Sequence, residues 1–211
     1  MNYLDHLESV VRGLREIDGI EIERLVISDP TNLDEITNVE NNLSFRLPES
    51  LRNLYLENAA SIHLVWTAEK EVFGSECKRG EIRLLSPSEI YEYYQDMIAI
   101  VQEYTLHDNE NSEGVEALIT DWPGWLPLFI FPNGDSFCLK KDGGQVMFLE
   151  HNVMDDGPNL HGLLIAQSFE ELMKKWGSVG YVDLYDWYEG VDDSGIDLGK
   201  GIYSKLIEKL H

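Results

Sequence analysis

The sequence has little positive charge. Sixteen Lys and Arg face 39 Asp and Glu, a formal net charge of −23 over 211 residues. No Lys or Arg lies between Arg83 and Lys140, whereas ten acids do: Glu89, Glu92, Asp96, Glu103, Asp108, Glu110, Glu113, Glu116, Asp121 and Asp135. A second stretch, YVDLYDWYEGVDDSGIDLG, carries six acids and no base. Nucleic-acid phosphate and anionic lipid both require a cationic face, so direct binding to DNA, RNA or an anionic membrane is disfavoured. Such a field attracts a cationic partner and speeds its encounter. A plainer account, that acidity only keeps the protein soluble, explains the same composition.

Cysteine is nearly absent. Cys77 and Cys138 stand alone, without a CxxC spacing, which excludes a zinc ribbon or a redox pair and leaves buried free thiols. Long apolar runs are missing too: LPLFIF is far short of the ~20 residues a membrane span needs. The start, MNYLDHLESVV, has acids within its apolar pattern and no basic n-region, so it does not read as a signal peptide, and a cytoplasmic protein is expected. GxGxxG, P-loop, HExxH and GxSxG motifs are all lacking, and no cofactor is expected.

The remaining composition is that of a globular chain, with 43% hydrophobic and 10% aromatic residues, including five Trp and ten Tyr. A domain of this size buries roughly 70% of its unfolded surface and needs no disulfide or metal to hold a core. Leu4, Leu7, Val10, Val11, Leu14 and Ile17 recur at helical spacing. Asn32 with Glu35 caps a helix carrying Leu33, Ile36, Val39 and Leu43, and Pro48 suits the first turn of a helix burying Leu51, Leu54 and Tyr55. SIHLVWT (61–67) and EIRLL (81–85) have strand character. Ser86-Pro87-Ser88-Glu89 is a capping box, and Ile90, Tyr94, Met97, Ile98, Val101 and Tyr104 predict a helix to about Tyr104 with Glu92, Asp96 and Glu103 in water. HDNENSEG reads as a polar loop. WLPLFIF turns at Asn133-Gly134 into DSFCLKK, and Asp142-Gly143-Gly144 turns again into QVMFLEH, a meander in which Pro127 requires an edge or a bulge. Val146 to Leu149 is apolar on both sides and predicts a strand covered on both faces. Ser168 and Glu171 cap a helix through SFEELMKKW, and KGIYSKLIEKL reads as a last amphipathic helix. The order predicts an α+β fold with a largely antiparallel sheet, residues 1–176 forming the domain and 177–211 an acidic-aromatic connector and helix packed on it.

Candidate chemistry is sparse. An EF-hand frame begun at Asn109 places Asn111, Glu113 and Gly114 correctly but puts Thr120 where the bidentate Glu belongs. His151, Asp155, Asp156 and His161 fall within eleven residues, yet their spacing matches no rigid ligand frame and Asp-Asp-Gly-Pro is turn chemistry, so no metal is expected. Aromatics beside acids suit an interface that grips Arg or Lys. Two places offer this: Trp122 after Asp121, near Asp108, Glu110, Glu113 and Glu116; and Asp183, Asp186, Trp187, Glu189, Asp192 and Asp193. Trp125, which opens a strand, belongs in the core.

Several short motifs together resemble the SUKH superfamily, which includes the yeast Smi–Knr regulators of cell-wall glucan synthesis. They are Leu47-Pro48-x-x-Leu51-x-x-Leu54-Tyr55 ending at Asn58, Trp125-Leu126-Pro127, Gly134-Asp135, Cys138-Leu139, Val146, His151, and Ile165-Ala166-x-Ser168-Phe169-x-x-x-Leu172. Asn58-Ala59-Ala60 departs from the glycines that often follow that Asn. The acid-rich region 86–121 and everything after about residue 177 look like elaborations. The resemblance implies a SUKH-like sheet flanked by helices and a binding scaffold without catalytic residues. Its bacterial members are commonly viewed as immunity proteins that neutralise toxin domains, often nucleases. The expected partner is therefore a basic toxin domain, bound by the acids named above, with the protein itself a monomer or weak homodimer. A scaffold in wall synthesis or signalling is the alternative, and a hydrolase using the His151–His161 loop is a third.

Overall fold

A computed structural model of the chain describes residues 2–73, 79–106, 113–151, 160–183 and 190–210. Seven strands form one antiparallel sheet in chain order. They are β1 (Ile20–Ile27), β2 (Ile62–Ala68), β3 (Arg79–Leu84), β4 (Trp125–Ile130), β5 (Ser136–Lys140), β6 (Val146–Leu149) and β7 (Leu164–Ala166). Helices α1 (Tyr3–Glu16), α2 (Leu33–Leu43), α3 (Glu49–Glu57) and the single turn α4 (Lys70–Phe73) come early. Then α5 (Pro87–Leu106) and α6 (Glu113–Asp121) intervene between β3 and β4, and α7 (Phe169–Ser178) follows β7. A small hairpin, β8 (Val191–Asp192) with β9 (Gly195–Ile196), and α8 (Gly201–Leu210) complete the described elements.

The caps are those the sequence predicts. Asn32 accepts from Glu35 N (2.9 Å), Ser168 from Glu171 N (3.1 Å), and Ser86 and Glu89 bond reciprocally. Pro48 differs: it precedes α3 in extended backbone as its N-cap, one residue outside the first turn. Asn58 closes α3, and its Oδ1 accepts from both Tyr3 N and Leu4 N (3.2 Å each), joining the end of α3 to the start of α1. Pro127 sits at a register shift in β4, the bulge its missing N–H requires. Strand β1 has no counterpart in the sequence reading, because its exposed Glu21, Glu23 and Arg24 break up the apolar pattern. Glu113 and Gly114 open α6 where a polar loop is expected; residues 107–112 of that loop lie outside the described residues.

Alternation along the meander sorts the side chains into two cores. Leu126, Leu128, Phe137, Leu139, Val146 and Phe148 join the main one, shared with α1, α2, α3, α7 and α8. Trp176 of α7 is fully buried there, its ring 4.9 Å from Phe137 and 5.5 Å from Phe129 in edge-to-face geometry. Trp125, Cys138, Met147 and Leu149 point the other way and meet Met97 and Val101 of α5, Leu118 of α6 and Trp122. The expectation for Val146–Leu149 holds: β6 is covered on both faces. Each large side chain closed off in this way contributes roughly 1.5–3 kcal/mol, which is why α5 and α6 lie across this half of the sheet.

Strand β3 meets the end of α7 through a close approach. Trp66 on β2 donates from Nε1 to the Gly180 carbonyl (2.6 Å), and a Cβ at Gly80 would fall 2.2 Å from that nitrogen. Gly80→Ala is expected to cost roughly 2–4 kcal/mol, from overpacking and a lost buried hydrogen bond. Denaturant midpoints of the variant and the parent check this.

Candidate partner-binding site

The second layer is pinned to the sheet by polar contacts as well as by its core. Tyr94 of α5 donates to the Pro123 carbonyl (2.9 Å), and the Lys141 ammonium lies 3.9 Å from the Tyr94 ring centre. At the end of α6, Asp121 faces His161 (Oδ2 to Nε2, 3.4 Å), and the imidazole stacks on Trp125 at 5.0 Å. Glu150 N donates to His161 Nδ1 (3.4 Å), and Glu150 Oε2 accepts from Leu160 N (2.8 Å). Burial pushes the His161 pKa below its ordinary value, although the neighbouring carboxylates of Asp121 and Glu150 pull the other way.

A second His–Asp pair holds the opposite wall. Asp135, buried at the β4–β5 turn, accepts from His151 N (2.9 Å) and lies 2.8 Å from His151 Nδ1. Asn133 donates to the same carboxylate. Gly134 has φ +98°, and a Cβ there would sit 3.1 Å from the His151 ring, so both the turn and the pair require glycine. His151 stays partly exposed. It faces a groove of about 570 Å³ whose other walls are Ile100, Glu103 and Tyr104 of α5, Leu118 of α6, and Trp122.

Tyr104 is 47% exposed, which corrects its placement in the buried stripe: the last turns of α5 run past the cover of the second core. Ile100 is 38% and Leu106 is 82% exposed beside it, so the end of α5 presents apolar surface between acids. Trp122, predicted as an open interface ring, is 4% exposed and belongs chiefly to the second core, forming the groove wall. Its buried indole N–H has no acceptor among the described residues.

Of the predicted acids, Glu116 is exposed on α6, Asp121 is half-exposed at its end, and Glu113 starts that helix. Asp108 and Glu110 lie outside the described residues, as do Asp186, Trp187 and Glu189. Asp183 N donates to the Arg79 carbonyl (2.9 Å) beside β3. Asp192 accepts from Ser194 N (2.8 Å) and Oγ (2.7 Å) and pairs with Lys200 (3.2 Å); these bonds lower its pKa to about 2. Asp193 is exposed in the same turn. Ile196 of that hairpin packs into the main core, whereas Leu118 of α6 packs into the second. Asp155 and Asp156 also lie outside the described residues, and among those described no group of three His, Cys, Asp or Glu could hold a metal ion. Cys138 is a buried free thiol, its pKa raised by burial.

With this geometry in hand, the comparisons with known proteins decide the family. The sequence model of the SMI1 / KNR4 family (SUKH-1) matches residues 30–175. The chain belongs to that family. No curated protein matches it. Family membership carries a role in protein–protein interaction, with no catalytic set to transfer. No described helix is long and apolar enough to cross a membrane. The match takes in α5 and α6, which form the second layer, and leaves out all of α1 and β1, the β8–β9 hairpin and α8.

Because the folded state binds a proton at His161 less readily than the unfolded chain, stability is retained above its ordinary pKa of 6.5 and is lost as pH falls from that value through the lower folded-state pKa. His161→Gln is expected to flatten the stability profile on the acid side of pH 6.5. Thermal or urea unfolding at stepped pH values reads the slope.

Proposed function

We propose that this SUKH-1 protein is a cytoplasmic, non-catalytic immunity protein that binds and neutralises a basic, nuclease-type toxin domain. The supporting observation is the groove between α5 and α6, with apolar walls and an acidic rim. Ile100, Tyr104, Leu118 and Trp122 supply the walls; Glu103 lines it, and Glu116 and Asp121 stand on the adjoining helix. A Lys or Arg of the partner lays its aliphatic stem along these rings and keeps its charge at the rim. A nuclease must be cationic where it holds nucleic acid, so this surface competes for the toxin's own phosphate-binding face. Asp108, Glu110 and Glu113, between or at the start of these helices in sequence, strengthen the local field. The acids Asp183, Asp186, Glu189, Asp192 and Asp193, with Trp187 among them in sequence, add their negative charge to the long-range attraction.

Affinity capture from a native-host lysate at low salt, with Glu103→Gln/Glu116→Gln/Asp121→Asn as the control bait, tests the reading. A basic toxin-like domain held by the parent and lost by the control is the expected result. Retention of wall-synthesis or signalling proteins instead contradicts it. With the partner in hand, the association rate is expected to fall about tenfold or more between ~0.05 and ~0.5 M salt. Tyr104→Ala is expected to weaken binding by about tenfold, through faster dissociation. A rate indifferent to salt, with affinity indifferent to Tyr104, overturns the assignment.

A further inference from the structure

The groove beside α5 carries two hydrogen-bond acceptors of different kinds. Ile100, Glu103 and Tyr104 stand three and four residues apart on α5, so the helix turns all three to one side. The Glu103 carboxylate pairs with no cation among the described residues. His151, on another wall, is the second acceptor, and the β4–β5 turn decides which of its nitrogens is available.

A Cβ at Gly134 would meet Cγ, Cδ2 and Nδ1 of that imidazole at 3.1, 3.3 and 3.5 Å. These atoms therefore face the turn, and the Cε1–Nε2 edge is directed away from it. Asp135 Oδ1 lies 2.8 Å from Nδ1 and also accepts from His151 N (2.9 Å). An ionised carboxylate can only accept, so in the neutral imidazole the proton sits on Nδ1 and Nε2 is a bare acceptor. Nε2 makes no hydrogen bond to a described residue, and the side chain is 44% exposed.

We propose that this groove is an arginine site: the guanidinium of one partner residue donates to both Glu103 and His151 Nε2 and stacks on the aromatic wall. A guanidinium carries five N–H donors in a flat, fixed fork, so it serves a carboxylate and a second acceptor at once. Its weakly hydrated face suits the Tyr104 and Trp122 rings that line the groove. An ammonium is a compact, strongly hydrated point charge, which gains little from a neutral second acceptor. A hydroxyl or backbone amide brings one donor and no charge for Glu103, and an anion is repelled by it. The inference rests on the reading of this groove as the partner-binding surface, and it narrows the recognised group from any basic side chain to arginine.

N-acetyl-arginine methylamide and N-acetyl-lysine methylamide, titrated into the full chain at equal ionic strength, test it. At about pH 8, where imidazoles are neutral, long-range proton–nitrogen correlation spectra of the free chain are expected to show His151 protonated on Nδ1. The arginine derivative is expected to shift the Nε2 resonance and to bind about fivefold or more tightly than the lysine derivative. Glu103→Gln, an exposed change, is expected to weaken arginine binding by about fivefold. His151→Phe, with unchanged circular dichroism, is expected to bring the two derivatives within about twofold of each other. A proton on Nε2, equal binding of the two derivatives, arginine binding indifferent to Glu103→Gln, or a preference that survives His151→Phe overturns the proposal. The probes need no toxin, so the two readings fail separately. An arginine preference in a chain that captures no toxin domain upholds the arginine site and removes the toxin reading. Toxin capture by a chain whose groove favours neither derivative overturns the arginine site and leaves the toxin reading standing.

Discussion

The burial of the β4–β5–β6 meander on both faces is the constraint from which the rest of this structure follows. A strand covered on one side alternates apolar and polar residues; here Trp125, Cys138, Met147 and Leu149 fill the positions that would otherwise meet water. Those side chains demand a second layer, and α5 with α6 provides it. Because β1–β3 show Arg24, His63, Glu81 and Arg83 on that face, with only the smaller Val26 and Val65 among them, the layer covers only half of the sheet. The end of α5 then overhangs its support, and the overhang is where Ile100 and Tyr104 stand exposed.

One His–carboxylate pair fixes this layer to the meander, and a second braces the meander itself. His161 with Asp121 ties the end of α6 to the segment before β7, and its stacking on Trp125 connects that tie to the second core. His151 with Asp135 holds the end of β6 to the β4–β5 turn. The motif residues Gly134, Asp135 and His151 thus form one device: a turn that needs glycine, a buried acid, and the histidine it positions at the groove. In this fold they shape one wall of the groove beside α5 and α6.

Much of this was legible in the residues. Local signals translated directly: the Asn32, Ser86 and Ser168 caps, the Asn133-Gly134 turn and the Pro127 bulge each act within a few positions of themselves. The two-sided apolar run at Val146–Leu149 also announced a covered strand. What local pattern could not supply was distance. The exposure of Tyr104 depends on where the sheet beneath α5 stops, and helical periodicity alone counts it with the buried stripe. Trp122 has the company of an interface residue in sequence but is drawn into the second core by Trp125 and Cys138, whose facing is settled only by sheet register. The histidine pairs join residues far apart in the chain, and β1 was hidden because an edge strand need bury only one side.

The central claim is that the α5–α6 layer is the working surface of this SUKH-1 scaffold. Hydrogen–deuterium exchange of the chain, free and saturated with a captured basic partner, tests it most directly. The account predicts added protection concentrated in the last turns of α5, along α6 and at His151, with α1, α3 and α7 unchanged. Protection confined to those three helices, with α5 and α6 exchanging as in the free protein, would contradict it.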